Sequence, residues 1–435
     1  MSHIPFLLSF VLLTIGAIAQ TARTTIEGAM PELQRLVAAC RAAIKTPAPP
    51  SGRPRAMWVL ANLRLADAEG SASALATAKL EGPEHELPWL VAAHLWHVRA
   101  TGQTDLAIAQ WQHLTARAAA TTAAPQAATF LDAAMQVHLL FCLGALADAI
   151  DQAAHAERWQ LGTPTARPGA AWTQRAIDRQ IELERQAWQP GREHFRANLT
   201  HGAIVTPESG DALTLVPASA GLLLATSDRM RRHLEHVAND VDRDDTTLDD
   251  VATAALLLLT QTQLMSDSGR QRALERLLRA TAGRVSADHA GLVLDAVLFA
   301  ITGVRVATGA GLDEAWQRCT PWLPPGHAQL RVRNLLAGGA RYDLQLVARD
   351  GSRQVDEQDA SANAHSDCRL RVTVRCLYTA DGRARTVLVA ESAMQTMHWL
   401  AVGETFSCSL PRAQPNAQHD PQAVGGSRPG IDPNR

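Results

Sequence analysis

The sequence feature that most constrains the fold is a segment that is apolar on nearly every helical face, Pro88–Ala100. Such a helix has to be buried on all sides, because no polar stripe is left to meet water. Pro88 suits the first turn of a helix, where a missing N–H costs nothing, and Gly102 is a typical helix end. A more polar helix is predicted at Leu106–Arg117. An apolar inner helix paired with an amphipathic outer one is therefore the predicted building unit.

The same alternation recurs along most of the chain and predicts about twelve helices. Inner helices are shielded by their neighbours, whereas outer helices show one face to water. The pattern therefore predicts a mainly α fold, an (α/α)6 toroid of helical hairpins, with an open solenoid of hairpins as the structural alternative. The other predicted helices are Met30–Lys45, Met57–Leu80 with an interruption at Gly70, Phe130–Ala147, Trp172–Trp188, Ala212–Thr226, Arg229–Val241, Asp249–Met265, Arg270–Ala282, Ala290–Thr302 and Asp313–Cys319.

The pattern changes after Pro321–Gly326, where apolar and polar residues begin to alternate with the period of a strand. The alternation predicts a small antiparallel sheet with one wet, arginine-rich face. Asp381-Gly382 is a typical hairpin turn and predicts that the strands on either side of it pair. The predicted strands are Ala328–Leu335, Tyr342–Ala348, Arg369–Leu377, Arg385–Ala390 and Thr405–Leu410.

The N-terminal segment Ile4–Ala19 is apolar and ends in an A-x-A cleavage pattern, Ala17-Ile18-Ala19. It predicts a removed signal peptide at residues 1–19 and export to the periplasm or medium, with an uncleaved membrane anchor as the alternative. The predicted division is then a toroid domain at 20–325, a C-terminal antiparallel β-domain at 326–410, and a disordered tail at 411–435 rich in Pro, Gln, Asn and Gly.

Composition narrows the classes of function. Lys and Arg number 41 against 43 Asp and Glu, so no bulk charge favours nucleic acid or an anionic membrane surface as a partner. No C-x-x-C pair and no glycine-rich phosphate loop occurs, so neither a metal nor a cofactor is expected. Cys40, Cys142 and Cys319 fall in helical patterns and are predicted as core thiols. A disulfide among Cys368, Cys376 and Cys408 stays open.

Three short motifs resemble the six-hairpin glycosidases, the (α/α)6-toroid superfamily of glucoamylase, trehalase, rhamnosidase and the maltose phosphorylases. The first is Pro88-Trp89-Leu followed by Ala100-Thr-Gly-Gln-Thr-Asp105, and the second runs from Asp211-Ala-Leu through Val216-Pro and Gly221-Leu. The third is Pro321-Trp-Leu-Pro-Pro-Gly326, which resembles the family's exit from the toroid into a β-domain. The resemblance covers about residues 30–350 and implies a carbohydrate-active protein with a glycoside as its ligand.

The chain also departs from this family. The family's usual N-terminal β-domain has no counterpart between Thr21 and Met30. Aromatic residues, which form the stacking platforms of sugar sites, make up only 4% of the chain. A truncated or catalytically degenerate member of the superfamily is therefore an expectation beside an active enzyme.

Acidic residues stand just before the starts of the predicted inner helices. Because inner helices of a ring run parallel, their N-termini gather at one mouth. Hydrolysis of a glycoside with inversion needs one carboxylic acid to protonate the leaving oxygen and a carboxylate about 6.5–9.5 Å away to activate water. The prediction assigns Glu84 and Glu86 with Glu208 and Asp211 as catalytic residues, and Asp245 and Asp288 as substrate-binding residues.

Each of these acids also has a purely structural interpretation, because carboxylates at helix starts cap free N–H groups and complement the helix dipole. Trp89 and Trp96 are seven residues apart and so lie on one side of their helix. Core packing is the favoured interpretation of both rings, and substrate binding by ring stacking is the alternative for which they are kept as candidates.

Two other classes of function remain open. A polysaccharide lyase also joins a helical toroid to β-sheets, but it would need a Tyr or His base near the mouth, and both tyrosines, Tyr342 and Tyr378, lie outside the helical region. The third class is a non-catalytic exported helical scaffold or binding protein, which a mouth without paired acids would indicate.

Overall fold

The computed structural model describes residues 23–45, 49, 52–81, 83–123, 129–155, 158–159, 166–191, 194–196, 199, 228–243, 250–282, 284–305, 319–349, 369–379, 385–391 and 394–411. Across these residues the protein is mainly helical and carries a small antiparallel sheet, as the sequence predicts. Two predicted helices, Ala212–Thr226 and, apart from its last residue, Asp313–Cys319, lie outside the described residues, as do the predicted signal peptide at 1–19 and the tail beyond 411.

Eleven helices lie in the described part of the chain. In chain order they are α1 Pro31–Ala43, α2 Gly52–Arg64, α3 Ala68–Ala76, α4 Leu87–Thr101, α5 Asp105–Ala123, α6 Phe130–Ala154, α7 Ala170–Ala187, α8 Asp228–Arg243, α9 Val251–Gln263, α10 Asp267–Thr281 and α11 Ala287–Thr302.

The five inner helices α2, α4, α6, α9 and α11 are buried on most of their faces. They pack side by side in the order α6–α4–α2–α11–α9. This confirms the prediction that the segment Pro88–Ala100 is shielded on all sides, since thirteen of the fifteen residues of α4 are buried and only Trp89 and Arg99 are partly exposed. By length and composition α6 is also the one described helix that could cross a membrane, and most of its apolar stretch is buried inside the protein.

The outer helices lie against this inner row. Helix α3 packs on α2 and α4, α5 on α4 and α6, α7 on α6, α8 on α9, and α10 on α9. Helix α1, the first along the chain, packs on α10 and α11, the last two. The first described helix therefore lies beside the last two.

The contact between α2 and α11 depends on a glycine. A Cβ atom on Gly291 would lie 1.9 Å from the carbonyl oxygen of Met57, so only a residue without a side chain lets the two backbones come this close. The interruption predicted at Gly70 falls earlier, between Arg64 and Ala68. Asp67 causes this shift, because its side chain accepts a hydrogen bond from Gly70 N at 2.9 Å and so starts a new helix three residues before the glycine.

The sheet has five antiparallel strands, which follow one another across it in this order: β1 Thr25–Glu27, β4 Gln329–Ala337, β5 Ala340–Arg349, β6 Arg369–Thr379 and β9 Thr405–Pro411. Two short hairpins lie outside this sheet. One pairs β2 Trp188–Gln189 with β3 His194–Phe195, and the other pairs β7 Arg385–Glu391 with β8 Met394–Leu400. Strand β1 comes before the boundary predicted at residue 326, yet it pairs with β4.

The predicted pairing of β6 with β7 across Asp381-Gly382 is wrong. Both edges of β6 are occupied, one by β5 and the other by β9, with Val372 opposite Cys408. Strand β7 pairs instead with β8, which the sequence analysis missed. The two-faced character of β6 is confirmed, because Val372 and Val374 are buried while Arg371 and Arg375 are exposed.

The sheet lies at the C-terminal ends of the inner helices. Gly339 N donates to the carbonyl oxygen of Ala100 at the end of α4, at 3.0 Å. Arg341 Nη2 donates to the carbonyl oxygen of Ala66, just after α2, at 2.9 Å. Because these carbonyls have no partner inside their own helices, the sheet satisfies them and covers this end of the helical array.

Candidate functional site

The N-terminal ends of four inner helices meet at the opposite end of the array. Arg53 lies in the first turn of α2, and its guanidinium lies 5.7 Å from the centre of the Trp89 ring in the first turn of α4. The same guanidinium interacts electrostatically with Asp250, the residue before α9, and with Asp288 in the first turn of α11. We call the group Arg53, Glu86, Trp89, Asp250 and Asp288 the mouth cluster.

Arg53 is the cation of the mouth cluster. Burial lowers the pKa of its guanidinium, while the carboxylates of Asp250 and Asp288 act in the opposite direction. Arginine stays protonated through such shifts, so the cluster holds one fixed positive charge beside three acidic side chains. The excess of carboxylates suits neutral or cationic ligands with hydroxyl groups, since carboxylate oxygens are strong hydrogen-bond acceptors.

Glu86 is the half-buried acid of the cluster. It ends a short 3-10 turn, Glu84–Glu86, and stands directly before α4, in the position of a helix cap. Its side chain nevertheless makes no capping hydrogen bond. Its Oε2 atom is buried and accepts no hydrogen bond from the described residues. A buried carboxylate oxygen without a donor is rare in folded proteins and is available to a ligand or to water.

The backbone of Gly52 forms one wall for the Glu86 carboxyl group. Gly52 has a φ of +69°, in the left-handed region that favours glycine. A Cβ atom at this position would lie 2.5 Å from Glu86 Oε1. The start of α2 therefore fixes where the Glu86 side chain can lie.

The two aspartates of the cluster differ in what they do. Asp250 accepts hydrogen bonds from Ala252 N at 3.1 Å and Thr253 N at 3.2 Å, so it caps α9. Asp288 is exposed in the first turn of α11, where it complements the helix dipole. The capping interpretation thus holds for Asp250 but not for Glu86.

The structure brings three of the predicted site residues together, namely Glu86, Trp89 and Asp288. Trp96 lies two turns further along α4, where it is only 2% exposed and packs in the core, with no hydrogen-bond partner for its Nε1 among the described residues. The backbone of Glu84 lies in the 3-10 turn before α4. The remaining predicted site residues, Glu208, Asp211 and Asp245, lie outside the described residues.

Sequence reasoning missed two members of the cluster, Arg53 and Asp250. Arg53 lies between the predicted helices Met30–Lys45 and Met57–Leu80, whereas α2 already begins at Gly52. Asp250 was placed within a helix predicted to start at Asp249, although it caps α9 from outside. In both cases the signal was present in the sequence, but the helix start was misplaced by a few residues.

Three cysteines are buried thiols in the core, as predicted. Burial raises the pKa of Cys40 and Cys142 to about 12 and that of Cys319 to about 11. None of the three is in a disulfide. Such thiols are poor nucleophiles, because the reactive thiolate is scarce at neutral pH.

No protein-family model matches the chain, and no curated protein matches its sequence. The mouth cluster is therefore the feature of this chain from which a function can be inferred.

Proposed function

We propose that the protein is carbohydrate-active and binds or hydrolyses a glycoside at the mouth cluster. The observation that carries the proposal is Glu86. It stands where a capping acid would stand, makes no cap, and keeps a buried oxygen without a hydrogen-bond donor. A sugar hydroxyl or a glycosidic oxygen is a partner of the right chemistry for that atom.

The other members of the mouth cluster suit the same ligand. Trp89 is half-buried beside Glu86 and offers an indole ring, the commonest stacking surface for a sugar. Asp288 is exposed on the neighbouring inner helix, from which it can accept hydrogen bonds from sugar hydroxyls. Arg53 lies over the Trp89 ring, and its charge interacts with the carboxylates of Asp250 and Asp288.

For hydrolysis we propose the inverting mechanism. One carboxyl group protonates the leaving oxygen while a second, about 6.5–9.5 Å away, removes a proton from the attacking water. Glu86 supplies one of the two groups, and the sequence offers Glu208 and Asp211 for the other. The bond between the sugar and its leaving group breaks as the water oxygen bonds to the sugar carbon, so the two products are a free sugar and an alcohol.

The (α/α)6 toroid is the architecture we propose for the helical domain. The inner row α6–α4–α2–α11–α9 and the contacts of α1 with α10 and α11 support it, because the first and last helices of an open solenoid lie far apart. The predicted helix Ala212–Thr226 would complete the inner ring between α6 and α9. We also propose that residues 1–19 are a signal peptide and that the protein is exported.

The experiment is an acid-to-amide comparison between Glu86 and a helix-capping acid outside the mouth cluster. Glu86→Gln keeps the shape of the side chain but cannot transfer a proton, so turnover of the glycoside should fall by about 10²–10⁴ while binding is retained. Asp67→Asn is the matched control, since Asp67 caps α3 outside the mouth cluster and asparagine caps a helix about as well as aspartate, so this variant should keep the wild-type turnover. Substrates are found by measuring reducing-end release from a panel of oligosaccharides.

Three outcomes decide between the classes of function. Equal turnover in Glu86→Gln and the wild type would refute a catalytic role for Glu86. Ligand binding that is lost in Trp89→Ala, without any turnover of the bound glycan, would leave a carbohydrate-binding protein. Products with the ultraviolet absorbance of an unsaturated uronide would indicate a lyase instead. The positions of Tyr342 and Tyr378 argue against a lyase with a tyrosine base, since both lie in the sheet and not at the mouth cluster.

A further inference from the structure

The five-stranded sheet has one face that the proposed function does not use. Its other face belongs to the same hydrophobic core as the inner helices, through residues such as Val332, Leu344 and Val372. Because side chains alternate along a strand, the residues between these point away from the helices and meet solvent. This is the wet, arginine-rich face that the sequence predicts, and we call it the arginine face.

Two arginines of β6 carry the unpaired charge of the arginine face. Arg371 and Arg375 are both exposed, and neither forms an ion pair with another residue in the described part of the chain. They lie on the same side of one strand, and at about 3.3 Å per residue their backbones are about 13 Å apart. A single small anion cannot reach both guanidinium groups, whereas an extended polymer with repeated negative charges can.

The acids described on this face already have partners. Asp343 lies opposite Arg375 in the sheet, but its carboxylate pairs with Arg331 at 2.6 Å. Glu27, on the edge strand β1, pairs with Arg333 at 3.0 Å. The arginine face therefore keeps a local excess of positive charge on β6, although the whole chain carries a net charge of −2.

Hydroxyl groups lie between and beside the two unpaired arginines. Thr373 stands between them on β6, and its Oγ1 atom is hydrogen-bonded to Ser407 Oγ on β9 at 2.9 Å. Ser409 lies opposite the first arginine and Thr405 opposite the second. Strands β6 and β9 thus present guanidinium groups alternating with hydroxyls, which can donate to and accept from the hydroxyls of a sugar chain.

An exposed tryptophan lies near one end of this row. Trp399, on β8, is 68% exposed. The turn that follows it leads into β9, and there the carbonyl oxygen of Glu404 accepts from Cys376 N, the residue after Arg375, at 3.1 Å. An indole ring has a large apolar surface, so a tryptophan left mostly in water suggests a stacking partner such as a sugar ring.

We propose that the arginine face, together with Trp399, binds an acidic polysaccharide whose carboxylates pair with Arg371 and Arg375. A guanidinium group presents two parallel N–H donors, which match the two oxygens of a carboxylate. The hydroxyls between the arginines meet those of the sugar units, and the indole ring stacks on one unit. Carboxylates at intervals along an extended chain match two cations that lie about 13 Å apart.

Nucleic acid is the competing polyanion, and the charge of the protein argues against it. Proteins that bind nucleic acids use a broad basic surface that contacts many phosphates. On the arginine face, by contrast, two further arginines are neutralised by acids. The net charge of −2 adds no long-range attraction for such a polymer.

This surface is separate from the mouth cluster. The sheet covers the C-terminal ends of the inner helices, whereas the mouth cluster lies at their N-terminal ends, and the two share no residue. The proposal therefore does not depend on the proposed function, and a polymer bound to the arginine face leaves the mouth open.

The test measures binding of the purified full-length protein to immobilised polygalacturonate at low and at high sodium chloride. The fully methyl-esterified polymer is the matched ligand, because it keeps the sugar backbone but loses the charge. The wild type should bind the acid form about tenfold more tightly than the ester or better, and salt should weaken this binding.

Three variants test the named residues. Arg371→Gln and Arg375→Gln should each weaken binding about tenfold and reduce its dependence on salt. Trp399→Ala should weaken binding but keep the salt dependence, since it removes no charge. Arg279→Gln is the matched control, because Arg279 is an exposed arginine in the last turn of α10, and this variant should bind like the wild type.

Several results would overturn the proposal. They are a wild type that does not bind polygalacturonate, equal binding of the acid and the ester, and losses in Arg371→Gln and Arg375→Gln no larger than that in Arg279→Gln. Tighter binding of single-stranded DNA at the same concentration of charges would assign the face to nucleic acid instead. The replaced side chains are exposed, and circular dichroism checks that each variant folds. If one does not, the comparison of acid and ester in the wild type still decides.

Discussion

Replacing Asp295 by asparagine should be one of the most destabilising conservative changes in this protein. This aspartate of α11 accepts hydrogen bonds on both oxygens, from Arg64 Nε at 2.7 Å and from Arg305 Nε at 3.0 Å. The asparagine has nearly the volume of aspartate, so no cavity forms and the effect isolates the charge. Its amide oxygen can still accept one hydrogen bond, but its NH₂ group then faces the Nε–H donor of Arg64 or of Arg305. Two guanidinium groups that are at most 3% exposed lose their shared counter-charge.

The expected magnitude follows from that burial. Removing one partner of a buried ion pair costs about 3–5 kcal/mol, because an uncompensated charge is left in a medium of low polarity. A surface pair offers the matched comparison. Glu32 on α1 accepts from Arg35 at 2.9 Å, but the two side chains are 52% and 70% exposed, so water screens the pair. Glu32→Gln should therefore cost less than about 1 kcal/mol.

The assay is equilibrium unfolding in urea, followed by circular dichroism for the helical domain, with wild type, Asp295→Asn and Glu32→Gln measured in the same buffer. A third variant strengthens the reasoning. Adding Arg64→Met to Asp295→Asn removes the buried Arg64 charge, which the first change leaves without its carboxylate, and should recover part of the lost free energy of unfolding. A loss of stability below about 1 kcal/mol for Asp295→Asn, equal to that of the surface control, would refute the reasoning that buried Arg64 and Arg305 need the charge of this carboxylate.

Two further predictions concern acid stability and the N-terminus. The buried imidazole of His94 has a pKa lowered to about 4, against about 6.5 in an unfolded chain, so the unfolded state binds more protons as the pH falls below 6.5. At pH 4 the low pKa of this histidine should have lowered the free energy of unfolding by about 3 kcal/mol. His94→Gln should therefore flatten the acid side of a curve of stability against pH, and an unchanged slope would contradict the assignment. Mass spectrometry of the exported protein should find a mature N-terminus near Gln20, whereas an intact Met1 on a membrane-bound protein would contradict the signal peptide.

The alternation of apolar and amphipathic segments predicted α4, α6, α9 and α11 as apolar inner helices, whereas one predicted helix, Met57–Leu80, covers both the inner helix α2 and the outer helix α3. A helix such as α4, apolar on nearly every face, has no other stable position than the interior, so its burial follows from composition alone. The two-faced strand β6 was predicted for the same reason, since its period-two pattern requires one buried and one wet face. Both features depend on the pattern of residues within a single segment, which the sequence shows directly.

Strand pairing was decided at longer range. The turn signal Asp381-Gly382 favours a hairpin between the strands on either side of it, but β9 occupies the edge of β6 that β7 would need. Likewise β1, three residues long, has no pattern of its own and exists because the edge of β4 offers it hydrogen-bond partners. Such pairings depend on which edges are free once the whole sheet is assembled.

The candidate site shows the same division between what the sequence determined and what the tertiary structure decided. The sequence alone placed acids before the starts of inner helices, including Glu86 and Asp288. It could not distinguish an acid that caps its helix, as Asp250 does, from one that leaves an oxygen without a donor, as Glu86 does. That distinction depends on the backbone of Gly52, which is distant in sequence and meets the Glu86 carboxyl group only because α2 and α4 pack side by side.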